Sequence, residues 1–107
     1  MYRQQAKFSI GQIVRHAEYG YRGVIADVDP QYLGSEEWYI AATEPPVRPS
    51  KWQPWYHILV DQDSAQTYVA EQSLRSDISI EPVEHPYMDV FFSGFERDHY
   101  VTRQSIN

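Results

Sequence analysis

No cysteine occurs among the 107 residues, which excludes a disulfide scaffold, a thiolate zinc site and a cysteine nucleophile together. Cations are scarce: nine Lys and Arg stand against 15 Asp and Glu, a formal net charge of −6. A nucleic-acid binder normally carries a net basic domain, so this balance argues against indiscriminate polyanion binding. No apolar run approaches the roughly 20 residues of a membrane span. The start Met1-Tyr2-Arg3-Gln4-Gln5 has no signal-peptide apolar core. These absences predict a soluble, cytoplasmic chain with no membrane partner. What the sequence has in quantity is aromatic side chains, 15 % of all residues. At this length a single domain over 1–107 is expected, burying roughly two-thirds of the surface its unfolded chain exposes.

The charge is unevenly placed. Residues 1–54 carry six basic and six acidic side chains, and residues 55–107 carry three against nine. Within the first 25, Arg3, Lys7, Arg15 and Arg22 face only Glu18. The acidic excess therefore belongs to the second half, and such asymmetry marks either two partner surfaces or plain solvation of a polar exterior.

No internal repeat or low-complexity tract interrupts the chain. Phe8, Ile10 and Val14 predict a strand running to His16 through Gly11, followed by a turn at Tyr19-Gly20-Tyr21. In Gly23–Asp29, Val24, Ala26 and Val28 alternate with polar positions, the period-two pattern of a strand that Pro30 ends. Residues 31–53 hold several prolines and predict an irregular loop with a brief helical or extended piece near Trp38. A loop this long in a small domain is either functional or mobile. Trp55–Asp61 is the strongest strand, turning through 62–65 into Gln66–Glu71. A four-residue loop there pairs Val60 with Thr67 and Ile58 with Val69. Pro86 suits a first helical turn, and Met88, Phe91, Phe92 and Phe95 follow at helical spacing. The pattern predicts a short amphipathic helix over 86–95, weakened by about 1 kcal/mol at Gly94. Together these elements predict a mainly β chain, a small SH3-like open β-barrel with a short C-terminal α-helix.

Several motifs carry a family resemblance. They are Lys7-Phe8-x-Ile10-Gly11-Gln12-x-Val14-x-His16, then Tyr19-Gly20-Tyr21-x-Gly23-Val24-Ile25 with Asp29-Pro30. Further on stand Pro54-Trp55-Tyr56-His57-Ile58-Leu59-Val60-Asp61, Tyr68-Val69-Ala70-Glu71-x-x-Leu74 and Glu84-His85-Pro86. In this order they resemble the YccV-like, or HspQ-like, family of small bacterial proteins described as heat-shock and hemimethylated-DNA-binding proteins. The resemblance implies a small β-barrel, often a homo-oligomer and a trimer; no catalytic residue set is carried over from it, and no cofactor is expected. It also implies a stress-linked role in protein turnover, including modulation of the ATP-dependent protease Lon and of replication-initiator levels. The 31–53 loop and the chain after Pro86 depart from the family pattern, so no partner contact there follows from it.

Three constellations could carry chemistry. His16 and His57, with Asp27, Asp29, Asp61 and Glu71 as possible neighbours, could hold a transition metal, but no local ligand spacing supports a site. Each histidine instead reads as a hydrogen-bonded corner of the barrel, and no metal is expected. Ser9, Ser35, Ser64 and Ser73 lack a nucleophile-elbow context and no phosphate-cradling glycine loop exists, so no enzyme is expected. In Arg15-His16-x-x-Tyr19-Gly20-Tyr21-Arg22, two cations bracket two tyrosines on a glycine-centred turn, with Lys7 upstream. Cations there suit phosphates, and tyrosine faces suit bases or the major-groove methyl of N6-methyladenine. The same tyrosines also read as lids on the core. Trp38, Trp52, Phe91 and Phe95 suit either a protein interface or the core. The leading expectation is a non-enzymatic DNA-binding protein using Lys7, Arg15, Tyr19, Tyr21 and Arg22. The alternative is an interaction adaptor for Lon-type proteolysis using the tryptophan-bearing loop, the acidic second half and the terminal helix.

Overall fold

Alternating side chains in the glycine-flanked first half and the β-branched run before Asp61 build one twisted sheet. In the computed structural model, which describes residues 5–46, 48–79 and 81–103, the elements are β1 (Ile13–His16), β2 (Arg22–Asp29), α1 (Glu36–Ala42), β3 (Trp55–Val60), β4 (Gln66–Ala70), β5 (Leu74–Ser76), α2 (Met88–Phe91), β6 (Phe92–Glu96) and β7 (His99–Thr102). A one-turn 3-10 segment, Glu71–Ser73, joins β4 to β5. Five strands form an antiparallel sheet in the order β4-β3-β2-β1-β5, and β6 and β7 form a separate hairpin. The architecture is mainly β, open rather than closed, with short helices, as the patterning predicts. No helix among the described residues is long and apolar enough to cross a membrane.

The sheet carries a buried core on each face. Residues opposite one another in an antiparallel ladder share a face. Ile13 opposes Val24, which opposes Leu59. These three form a core with Val83, Phe92 and Tyr100, so the β6–β7 hairpin covers this side. On the other side Val14, Ile25, Tyr56, Ile58, Val69 and Leu74 pack together, with Phe8 and Tyr21 against them. Each fully buried large apolar side chain contributes about 1.5–3 kcal/mol. A third cluster, Tyr32, Trp55 and Ala70, seats the irregular segment, with Tyr39 and Tyr68 packed on it.

Two glycines make close approaches. Gly11 has φ +92°, donates to the Ile25 carbonyl at 2.8 Å and accepts from the Tyr100 N–H at 2.7 Å. A Cβ there would lie 2.1 Å from the Tyr100 carbonyl oxygen. At Gly23 a Cβ would meet the Ile58 side chain at 2.4 Å.

Four sequence expectations need correction. The strand predicted through Gly11 begins only at Ile13, because Gly11 turns the chain to meet β2 and β7 at once. The β3–β4 register differs by two residues: Ile58 opposes Thr67 and Tyr56 opposes Val69. The loop is 61–64 instead of 62–65, set by Gln62 at φ 60° and by the Asp63 carboxylate accepting from the Ser64 and Ala65 N–H groups. A shift of two preserves the faces, so the core was unaffected. The helix predicted over 86–95 is only Met88–Phe91, and the chain then pairs as β6 and β7. Phe92 is buried and Met88, Phe91 and Phe95 pack on the same core, so the apolar stripe is real although half of it is strand. The Arg97 turn at φ 58° folds β7 back onto Gly94 and Phe95, giving that backbone a ladder in place of helical bonds. The brief piece expected near Trp38 is present as the helix α1, capped by Ser35, whose hydroxyl accepts from the Trp38 N–H at 3.0 Å.

Candidate nucleic-acid interface

The hairpin connecting β1 to β2 ends in a turn whose shape depends on His16. Its Nδ1 accepts from the Glu18 and Tyr19 N–H groups, both at 3.1 Å, which places the ring proton on Nε2. Burial pulls the His16 pKa below its ordinary 6.5, outweighing the nearby Glu18 carboxylate, which raises it. Tyr19 stacks on this ring at 4.6 Å and Tyr21 at 5.2 Å, giving three rings in sequence. Tyr21 is fixed by a 2.9 Å hydroxyl contact with Thr67, whereas Tyr19 is 75 % exposed. The tyrosines therefore divide the two roles their sequence allowed: Tyr21 packs on the core and Tyr19 faces solvent.

Beside the turn lies a row of arginines. Arg22 opposes Arg15 across β2 and β1, and Arg15 opposes Arg75 across β1 and β5, so the three share one face in register. Like charges in such a row repel unless carboxylates intervene. Asp77 supplies the bridge: Oδ2 accepts from Arg22 Nε at 2.7 Å and Oδ1 from Arg15 Nε and Nη2 at 3.3 Å. Arg22 also donates to Asp61 at 2.7 Å and to the Glu81 carbonyl. Its side chain is 13 % exposed, and those of Asp61 and Asp77 are 8 % and 4 % exposed. Arg22 is thus a largely covered cation committed to two carboxylates of its own fold. Arg15, 47 % exposed, grips the Gly20 carbonyl at 2.8 Å and couples the arginine row to the turn. Arg75 is exposed and bonded only to the Leu74 and Gln72 carbonyls among the described residues. Lys7 is exposed too, but Phe8 beside it packs on the opposite side of the sheet from Arg15. Its N–H is held by Glu71 at 2.8 Å, so the structure does not bring Lys7 to the arginine row.

The family model for hemimethylated DNA-binding protein YccV like matches residues 6–99 of this chain. The chain belongs to the YccV-like family.

In this YccV-like domain the remaining candidates are dispersed. Trp38 packs between Tyr32 and Tyr68 while its outer surface stays exposed. Trp52 is 74 % exposed on the segment before β3. Phe91 and Phe95 lie half-buried against the core, Phe95 on Tyr100 at 4.6 Å. The two histidines do not meet. His57 Nε2 contacts Asp29 at 3.1 Å, and Asp29 also accepts from the Tyr68 hydroxyl at 2.6 Å. With Asp27, these two offer three ligand atoms within 4.8 Å, a set that could hold a cation. Burial and the Asp29 carboxylate raise the Tyr68 pKa, so that hydroxyl keeps its proton and donates. Glu71 is a buried anchor rather than a ligand: it accepts from the Tyr56 hydroxyl at 2.7 Å as well as from the Lys7 N–H.

Sequence reasoning missed Arg75 and Asp77. Each sits about 60 residues from the arginine it neighbours, and only the β1–β5 pairing reveals the row.

Proposed function

We propose that this YccV-like domain is a non-enzymatic DNA-binding module that docks the end of the β1–β2 hairpin and the adjoining β5 on a duplex. Arg15 and Arg75 meet phosphates, and Tyr19 presents an apolar, stackable ring to a base edge or an adenine methyl. Arg22 and Tyr21 hold that end in shape, and Lys7 adds a peripheral cation. The observation that carries the reading is the exposed Arg15–Arg75 pair, in register beside a solvent-facing tyrosine, in a member of a family described as hemimethylated DNA-binding. With two or three cations engaged, the log–log salt slope is about −2 to −3, which corresponds to modest affinity per chain. A homo-oligomer, such as the trimer the family resemblance implies, gathers more cations onto one duplex.

The test is a fluorescence-anisotropy titration at two salt concentrations. It compares unmethylated, hemimethylated and fully methylated duplexes of one sequence. The Arg15→Ala/Arg75→Ala variant is expected to lower the slope by about 1.8, and Tyr19→Ala to reduce the preference for the hemimethylated duplex at nearly constant slope. An unchanged slope in the arginine variant defeats the assignment.

The second reading, an adaptor for Lon-type proteolysis in the stress response, draws support from Trp52, an exposed large aromatic of the kind that anchors protein interfaces. Under it, Trp52→Ala changes the rate at which Lon degrades a substrate while DNA binding stays as it was.

A further inference from the structure

Strand β4 is an edge of the five-stranded sheet, paired only with β3. Val60 donates to the Ala65 carbonyl, which fixes the phase of the ladder: Thr67 and Val69 turn their backbone groups toward β3, and Gln66, Tyr68 and Ala70 turn theirs outward. Among the described residues, no backbone group of another segment bonds to those outward groups. Natural edge strands are usually blunted by Lys, Pro, a bulge or an inward charge. β4, Gln-Thr-Tyr-Val-Ala, has none of these and keeps unbroken register with β3. An open groove of about 1050 Å³ is lined by every residue of β4. That size lies at the upper limit of small-molecule pockets, about 300–1,000 Å³. Its walls carry the rings of Tyr19, Trp38 and Tyr68 and the carboxylates of Glu18, Asp29 and Glu44, with no Lys or Arg among the lining residues.

We propose that the β4 edge is a docking site for an extended, basic peptide segment, which adds to the sheet as an antiparallel or parallel strand. Outward N–H and C=O groups of Gln66 and Tyr68 give the main-chain bonds, and alternate side chains of the ligand fall to the two walls of the groove. Both walls are acidic and aromatic, with Asp29, Trp38 and Tyr68 on one side and Glu18 and Tyr19 on the other. Arg or Lys side chains flanked by apolar residues match that lining, through ion pairs with the carboxylates and contact with the ring faces. An anionic ligand is disfavoured by the same charges. The site shares Tyr19 with the proposed DNA face but uses neither Arg15 nor Arg75, and its main-chain bonds come from β4 alone.

The experiment is calorimetric titration of the full chain with a capped heptapeptide alternating valine and arginine. Three comparison peptides accompany it: one with arginine replaced by glutamate, one N-methylated at alternate backbone positions, and free arginine amide. Saturable binding of the first is expected, with none for the glutamate peptide or arginine amide. A loss of about tenfold or more is expected for the N-methylated peptide, which cannot complete the ladder. Gln66→Pro removes an outward donor at a tolerated edge position and is expected to weaken binding similarly. Glu96→Gln, which removes an exposed carboxylate on β6 outside the groove, is expected to leave it unchanged. Equal binding of the N-methylated peptide overturns the proposal, since it shows adsorption to an acidic surface only. So does absence of binding, or self-association of the chain through β4 that the peptide fails to displace. Should Gln66→Pro not fold, the N-methylated peptide decides alone.

Discussion

Replacing Arg22 with alanine tests whether this cation belongs to the fold. Its guanidinium touches two carboxylates at 2.7 Å, Asp61 and Asp77, both nearly excluded from water. Burial by itself disfavours the charged guanidinium, and the two carboxylates more than restore it. Intact, such a network adds little net stability, because desolvation offsets the attraction. Breaking it from one side is another matter, since two buried anions then lose their cation. Loss of one partner of a buried ion pair costs about 3–5 kcal/mol. In a chain of this size that lowers the melting temperature by roughly 15 °C or more. Urea denaturation of Arg22→Ala, followed by tryptophan fluorescence, measures the loss. The companion variant Arg22→Met/Asp61→Asn/Asp77→Asn removes all three charges and is expected to recover most of it. A loss below about 1 kcal/mol in the single variant, the range of exposed pairs, refutes the assignment of Arg22 to the interior. It would return Arg22 to the DNA-contact set that its place in the sequence suggests.

Three further outcomes follow from the same geometry. His16 binds protons less readily folded than unfolded, so its contribution to stability is complete above pH 6.5 and declines as pH falls below it. Urea midpoints at pH 7.5 and pH 5 are expected to differ by more in the parent than in His16→Gln, and equal differences contradict the turn's dependence on a neutral ring. Gly11→Ala is expected to lose about 3 kcal/mol or more, since it combines positive φ with contact against the Tyr100 backbone, whereas Gly20→Ala, at φ +78° in open space, loses about 1 kcal/mol. Thermal unfolding of the two variants side by side checks the ranking. Tyr56→Phe removes the hydroxyl that donates to Glu71 and accepts from the Phe8 N–H at 3.2 Å, for an expected loss of about 1–3 kcal/mol by denaturant titration.

Local patterns were readable where one periodicity sufficed. Ile58 and Leu59 on β3 are found in the core, and Val24 and Ala26 share the face that their alternation requires. A bulge between Ile25 and Asp27 sends Val28 to the opposite core beside Ile25 and Tyr56, where the strict alternation did not place it. The C-terminal aromatics were read with the right burial and the wrong backbone. Phe91, Phe92 and Phe95 satisfy a helical stripe on paper, but a hairpin sends Phe92 and Phe95 to the same core once Gly94 and the Arg97 turn let β7 return. The register error in β3–β4 came from the turn, where Asp63 binds two following N–H groups and draws the loop one residue earlier. The site was harder to read for a different reason. Arg15 and Arg22 are near neighbours of similar type, and what separates an exposed cation from a largely covered one is Asp61 and Asp77, which follow β3 and β5 far along the chain.

Order of synthesis gives the two-faced sheet a temporal side. Strands β1 to β4 are consecutive neighbours and can assemble as they emerge, each against the one before. The surface formed by Ile13, Val24 and Leu59 then waits in water until Val83, Phe92 and Tyr100 have been made. A chain ending at Ser73 therefore leaves that apolar side uncovered and β1 without β5. Val83, Phe92 and Tyr100 close the surface that Ile13, Val24 and Leu59 begin, and a chain cut before them is expected to expose it.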